Sequence, residues 1–306
     1  MATRAALPGR RSLPGVAATV AATVCWGLSA IFVDLARMGT VQLAFFRLWV
    51  GVAFMAVLLV LTRRVPSRAV LVRCLPGGLL LCGDILGFFG ALALTSVAEA
   101  TVISALQPVL VLAVAGPWFG EKVGRREAAL TAAAIAGVVL VVTGSGGYAP
   151  HAALGAAAAT GSLVCWTGYW IVSKRVAAGV NAVEYTSGVI VTAAVLMTPV
   201  ALLAGHGVGS IRARDWLWVG LLAVVPGTGH ILINWAHRFV DVSVSSVIGA
   251  ANPIVAAVAA LLVLGQPLAP LQIAGGLLAI AAIAAVAGRS GPAVRPGSAA
   301  GPELPG

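Results

Sequence analysis

Few residues in this chain can do chemistry, and they stand in apolar surroundings. Asp84 lies among Leu81, Cys82, Gly83, Ile85 and Leu86. An ionised carboxylate facing lipid would cost about 2.5 to 3.5 kcal/mol even on the lenient insertion scale, so it must face protein or water. It reads either as a site for a substrate ammonium or a proton, or as a hydrogen-bonding group between helices. His230, Asn234 and His237 recur at i, i+4 and i+7, one stripe of a helix. An imidazole changes charge near neutral pH, which suits proton-coupled work, although an interhelical hydrogen bond accounts for it too. His230 and Asn234 are expected to face a cavity. His237, beside Arg238 and Asp241, is expected at an interface or gate. Arg47 sits roughly 10 Å into its apolar run at about 1.5 Å per residue. Glu99 is at compatible depth, so the two are expected to form a structural ion pair, which a charge swap would test. An indole N–H at mid-depth wants a partner, and Trp26 and Trp166 are candidate cavity walls. Gln107 and Asn252 each precede a proline. Proline removes a backbone donor and frees carbonyls one turn earlier, so kinks are expected there, with the amides satisfying the freed groups or lining the cavity. The glycines Gly83, Gly87 and Gly90 form a small-residue face beside Asp84 that admits a neighbouring backbone.

The elements that must hold these residues are membrane spans. With 60% hydrophobic residues, 9% charged and a mean hydropathy of +1.04, 306 residues cannot coat a soluble globule. Runs long enough to cross a bilayer fill nearly the whole chain. Ten spans are expected, at residues 15–33, 40–61, 72–93, 98–119, 126–143, 152–173, 183–204, 216–237, 242–264 and 270–288. The first follows Arg4, Arg10 and Arg11 and resembles the start of a signal peptide, but nine more runs come after it, so it is expected to be retained. The net charge of +10 reflects orientation rather than nucleic-acid binding. With the N-terminus inside, the inner segments carry Arg4, Arg10, Arg11, Arg63, Arg64, Arg68, Arg73, Lys122, Arg125, Arg126, Lys174, Arg175, Arg238, Arg289 and Arg295. The outer ones carry Arg37, Arg212 and Arg214. Both termini are therefore expected in the cytoplasm of a multi-pass protein of the plasma membrane, here a bacterial inner membrane. The Pro- and Gly-rich tail 289–306 is expected to be disordered. Cys25, Cys74, Cys82 and Cys165 form no CxxC pair and read as small buried hydrophobes.

The chain also repeats itself. Gln107-Pro108, a long apolar run and Gly120-Glu121 return as Asn252-Pro253, a similar run and Gly265-Gln266. The same offset pairs Ala91 with Ala236, Val97 with Val242, Val102 with Val247 and Ile103 with Ile248, and it sets Gly229, next to His230, opposite Asp84. An odd number of spans per copy turns the second copy over. Accordingly the loop after Glu121 is basic (Lys122, Arg125, Arg126), whereas the matching one after Gln266 has no basic residue before Leu271. The fold class expected is thus an all-α membrane protein of ten transmembrane helices in two inverted five-helix repeats. The segments are a 1–14 cytoplasmic lead, repeats at 15–146 and 147–288, and the 289–306 tail.

Taken in order, Cys25-Trp26-Gly27 with Cys165-Trp166, Phe45-Phe46-Arg47, the run Ala91 to Thr95 and the doubled Pro-to-Gly-Glu stretch resemble an EamA-type member of the drug/metabolite transporter superfamily, over about residues 15 to 288. The second copy departs from that pattern at Gln266 and at Thr167, which follows Trp166 where Gly27 follows Trp26. The resemblance implies a basket of two halves around a midplane cavity, opened alternately to each side. The function expected is secondary transport of a small metabolite, an amino acid or amphipathic compound, outward, with proton coupling or exchange. No GxxxxGK loop for ATP is present, and no cofactor or metal is expected. The partners are a small-molecule solute and the lipid bilayer, not nucleic acid, and a homodimer stays open. Two alternatives stand beside it. An intramembrane enzyme would have only the His230, Asn234, His237 stripe, without HExxH or GxSxG. A non-transporting scaffold would tolerate Asp84→Asn.

Overall fold

The computed structural model describes residues 12–94, 100, 103–121, 124–143, 152–204, 209, 211–265 and 267–287. Among them the regular structure is helical: α1 Leu13–Ala36, α2 Thr40–Leu61, α3 Arg68–Leu94, α4 Gln107–Phe119, α5 Arg125–Thr143, α6 Ala152–Ala177, α7 Ala182–Leu203, α8 Asp215–Ala236, α9 Val242–Gly249, α10 Asn252–Leu264 and α11 Pro270–Ala287. With Val242–Leu264 taken as one span, seven of these are long and apolar enough to cross a bilayer. The α5 and α6 helices, also drawn as spans from the sequence, carry Arg125, Arg126 and Glu127 or Lys174 and Arg175 at one end. Local chemistry sets several starts. Ser12 accepts the Gly15 N–H at 3.2 Å ahead of α1, and Asn181 accepts the Val183 N–H at 2.9 Å ahead of α7. The N-terminal segment 1–11, the 289–306 tail, Gln266 and Glu99 lie outside the described residues.

The tertiary contacts follow the duplication. The α1 helix packs on α8 as α3 packs on α6, α2 meets its counterpart α7, and α5 meets its counterpart α11. Each of these contacts joins one repeat to the other, as a two-fold relation between inverted copies requires. The first and second five-helix repeats therefore share one interface rather than standing apart.

One expectation is corrected. The fourth and ninth spans were drawn as continuous helices kinked at Pro108 and Pro253. Instead each is broken by a turn, at Ala105-Leu106 and at Ala250-Ala251, and a new helix starts at the amide residue. Proline fits the first turn of a helix, where its missing N–H would have no partner anyway. The two breaks are near copies, with Leu106 at φ −78, ψ −3 and Ala251 at φ −73, ψ −5. The ends match as well, at Gly120 (φ 67) and Gly265 (φ 66), left-handed positions that favour glycine.

Glu121, next to the first of these glycines, has a structural task. Its carboxylate accepts the backbone N–H of Val242 at 2.8 Å and of Ser243 at 3.1 Å, capping α9 in the other repeat. Glu121→Ala should lower stability by about 1 to 2 kcal/mol, and Glu121→Gln by less, since one amide oxygen still accepts. Thermal unfolding of the detergent-solubilised variants checks this. Equal losses in the two variants would contradict a capping role.

Candidate functional site

The site is built where α6 crosses α3 and α8. Gly83 and Gly87 let α6 come close: a Cβ on Gly87 would stand 2.9 Å from the Ser162 backbone nitrogen and 3.0 Å from the Ala158 oxygen. Gly90 has room, with its nearest neighbour at 3.9 Å. The close approach puts the Ser162 hydroxyl on Asp84, donating at 2.6 Å. At the corresponding place in the second repeat, Gly229 faces α1, where an added Cβ would meet Trp26 Nε1 at 3.0 Å and the Ala22 oxygen at 3.2 Å. One repeat thus uses the position for an acid, and the other uses it to admit an indole.

The stripe on α8 meets a stripe on α6. Tyr169, His230 and Asn234 are all buried. The Tyr169 hydroxyl lies 3.2 Å from His230 Nδ1, and Asn234 Nδ2 donates to that hydroxyl at 3.1 Å and to Thr186 Oγ1 at 2.9 Å. One turn further, Ser173 Oγ is 2.8 Å from His237 Nδ1. His237, expected at an interface or gate, is 2% exposed, against Trp170 with ring centroids 5.3 Å apart. Its neighbour Arg238 reaches the C-terminal end of α6, donating to the Ala177 carbonyl at 2.7 Å and to the Val180 carbonyl, so the charge sits at the helix terminus while the imidazole turns inward.

Trp26 and Trp166, from matched positions of the two repeats, touch at a ring-centroid distance of 5.2 Å in an edge-to-face arrangement. Both stand beside His230, at 5.3 and 5.9 Å, and Tyr169 stacks on Trp166 at 5.4 Å. Edge-to-face aromatic pairs of this kind contribute about 0.5 to 1.5 kcal/mol beyond their buried area. The indole Nε1 of Trp26 and the amide Nε2 of Gln107 have no hydrogen-bond partner among the described residues, and both residues are buried. Asn252 is half-buried at the start of α10, where its carbonyl and Val255 crowd Gly27 of α1.

A small pocket opens between the repeats, lined by Arg47, Leu48 and Gly51 of α2, Leu81 of α3, Ile190 of α7, and Leu222, Ala223, Pro226, Gly227 and His230 of α8. Its volume of about 20 Å³ suits a single water. Of the residues expected to face a cavity, His230 lines this pocket, Trp26 packs against His230, and Asn234 joins it through Tyr169, while Gln107 is buried at the start of α4. Arg47, assigned from the sequence to an ion pair with Glu99, lines it too. Glu99 lies outside the described residues; among the described residues, Asp84 is the carboxylate within electrostatic reach of Arg47.

Ser162, Tyr169, Ser173 and Thr186 were not singled out from the sequence. The signal for three of them was there: Ser162, Trp166, Tyr169 and Ser173 follow each other at steps of four, three and four, one helical stripe facing that of His230, Asn234 and His237. Tyr169→Phe removes the group shared by His230 and Asn234 and should cost about 1 to 3 kcal/mol. A thermal melt within experimental error of the unmutated chain would show that the phenol holds nothing together.

Comparison with known proteins agrees with this architecture. A model of the EamA-like transporter family matches residues 13–143 and, separately, residues 153–288. A solved crystal structure shares the fold, with a TM-score of 0.78 at 21% identity over 89% of this chain and 96% of that one. A comparison with curated proteins gives no match. Long apolar helices and a family match that covers each repeat in turn lead to one assignment: the chain is a multi-pass membrane protein and belongs to the EamA-like transporter family, within the drug/metabolite transporter superfamily.

Proposed function

We propose that the protein carries a small metabolite, an amino acid or an amphipathic compound, outward across the plasma membrane by alternating access, with both termini in the cytoplasm. The observation that carries this is the pocket between the repeats, where Arg47 and His230 meet inside an otherwise apolar wall. A charged group within a membrane domain is costly unless it serves a pathway or a partner, and midplane sites at repeat interfaces are where such transporters bind. In the conformation described, the pocket is too small for a metabolite. The solute enters when the repeats rock apart and is held while they close. Asp84, bonded to Ser162 and within electrostatic reach of Arg47, takes the substrate ammonium or the coupling proton.

The test is untargeted metabolite profiling, inside and outside cells, with the chain overproduced or deleted. A solute that moves from inside to outside with expression supports the reading. Profiles that do not change with expression, in cells where the protein reaches the membrane, would leave the scaffold alternative in its place.

A further inference from the structure

We infer that the Arg47–His230 pocket is the carboxylate-binding subsite of the transported solute. This rests on the transporter reading above and narrows it to solutes that bear a carboxylate. Arg47 has no hydrogen bond or ion pair with any described residue. Asp84, the acid that acts on it electrostatically, is instead bonded to Ser162. A guanidinium presents five N–H donors and accepts nothing. The wall around it is leucine, isoleucine, alanine, glycine and proline, with His230 the other polar side chain. Pro226, lacking an N–H, frees the Leu222 carbonyl on the same wall, but a neutral carbonyl cannot neutralise a guanidinium.

The hydrogen-bond network decides what His230 offers. Asn234 spends both Nδ2 protons, on Thr186 at 2.9 Å and on the Tyr169 oxygen at 3.1 Å. The phenol proton lies within reach of both Asn234 Oδ1 at 3.3 Å and His230 Nδ1 at 3.2 Å; given to Nδ1, it places the ring proton on Nε2, the edge left to the pocket. Arg47 and, in the Nε2-protonated form, His230 together offer a pair of donors, one of them cationic, and among the described residues no acidic side chain lines the pocket. Arginine recognises a planar two-oxygen group through paired N–H donors, and the imidazole N–H supplies a further donor. A carboxylate fits that demand. An amine does not, because it would bring a positive charge against Arg47.

Purified full-length protein in detergent would be titrated with phenylacetate and with phenylacetamide, which match in shape and differ in charge, reading tryptophan fluorescence, since Trp26 and Trp166 flank His230. Phenylacetate should bind, the amide should bind about 10- to 100-fold more weakly, and Arg47→Gln should weaken phenylacetate by a similar factor while leaving the amide unchanged. Arg47→Lys keeps the charge without the fork and should fall between. Should Arg47→Gln fail to fold, His230→Leu serves, with a smaller loss confined to phenylacetate. Equal binding of the two probes, no binding of either, or phenylacetate binding that survives both Arg47→Gln and His230→Leu would overturn the subsite. So would competition by sodium chloride beyond that of a matched sulfate salt, which would make the pocket a site for free halide. If the subsite fails while metabolite profiles still respond to expression, the transporter reading stands. If the profiles do not respond, that reading fails on its own.

Discussion

Asp84→Asn should leave a folded protein whose solute flux falls about 10- to 100-fold, the loss expected when a charge-assisted interaction becomes a neutral one. Asparagine is close to isosteric, and its Oδ1 can still accept from Ser162, which donates to Asp84 at 2.6 Å. The packing of α3 on α6 also persists, because Gly83 and Gly87 rather than the carboxylate set the approach. What the substitution removes is the negative charge, and with it the field that Arg47 feels within the first repeat. Ser162→Ala should cost less, since the charge stays and only a donor is lost. The measurement is the flux, in proteoliposomes, of whichever solute the profiling identifies, alongside the melting temperature of each variant. Undiminished flux in Asp84→Asn would leave the carboxylate with a purely structural role.

The largest effect on stability is expected from Gly137→Val. The α5 and α11 helices cross with their backbones in contact. A Cβ on Gly137 would lie 2.5 Å from the Gly275 oxygen and 2.6 Å from the Ala279 nitrogen. From the other side, one on Gly275 would lie 2.6 Å from the Gly137 oxygen. Backbone atoms inside a helix cannot step aside as a side-chain end can, so the helices must part along this contact. In lipid, where tight packing replaces the hydrophobic drive between helices, the loss should reach about 3 kcal/mol or more. The expected result is a collapse in monodisperse yield on size-exclusion chromatography. Gly161→Ala is the control: an added Cβ there meets nothing within 4 Å, and replacing a helical glycine should stabilise by up to about 1 kcal/mol. A Gly137→Val protein that melts with the unmutated chain would refute the contact.

These residues also mark what could be read before any fold was known. The small-residue face at Gly83 and Gly87 was visible, and so was the duplicated amide-Pro to Gly stretch, because both are periodic along the chain. The α8 stripe was legible for the same reason. The matching α6 stripe was present but passed over, since Ser162, Tyr169 and Ser173 look unremarkable in a helix until something faces them. The broken spans were misread as kinks because a proline inside an apolar run gives the same signal whether it bends a helix or begins a new one. Gly137 and Gly275 carry no local mark that distinguishes them from the chain's many other glycines.

By itself the sequence determined that this protein lives in lipid, that its helices come in two inverted sets of five and which family it resembles. Those properties follow from composition, the length of apolar runs and internal repetition, and each is a one-dimensional pattern. Only the tertiary structure decided which polar groups meet. It set Arg47 at the pocket with His230, tied Asp84 to Ser162, and turned His237 inward onto Ser173. Such pairings depend on helix rotation and on side-chain reach between segments some 60 to 180 residues apart. A shift of one residue in either partner would change them while leaving the hydropathy pattern intact.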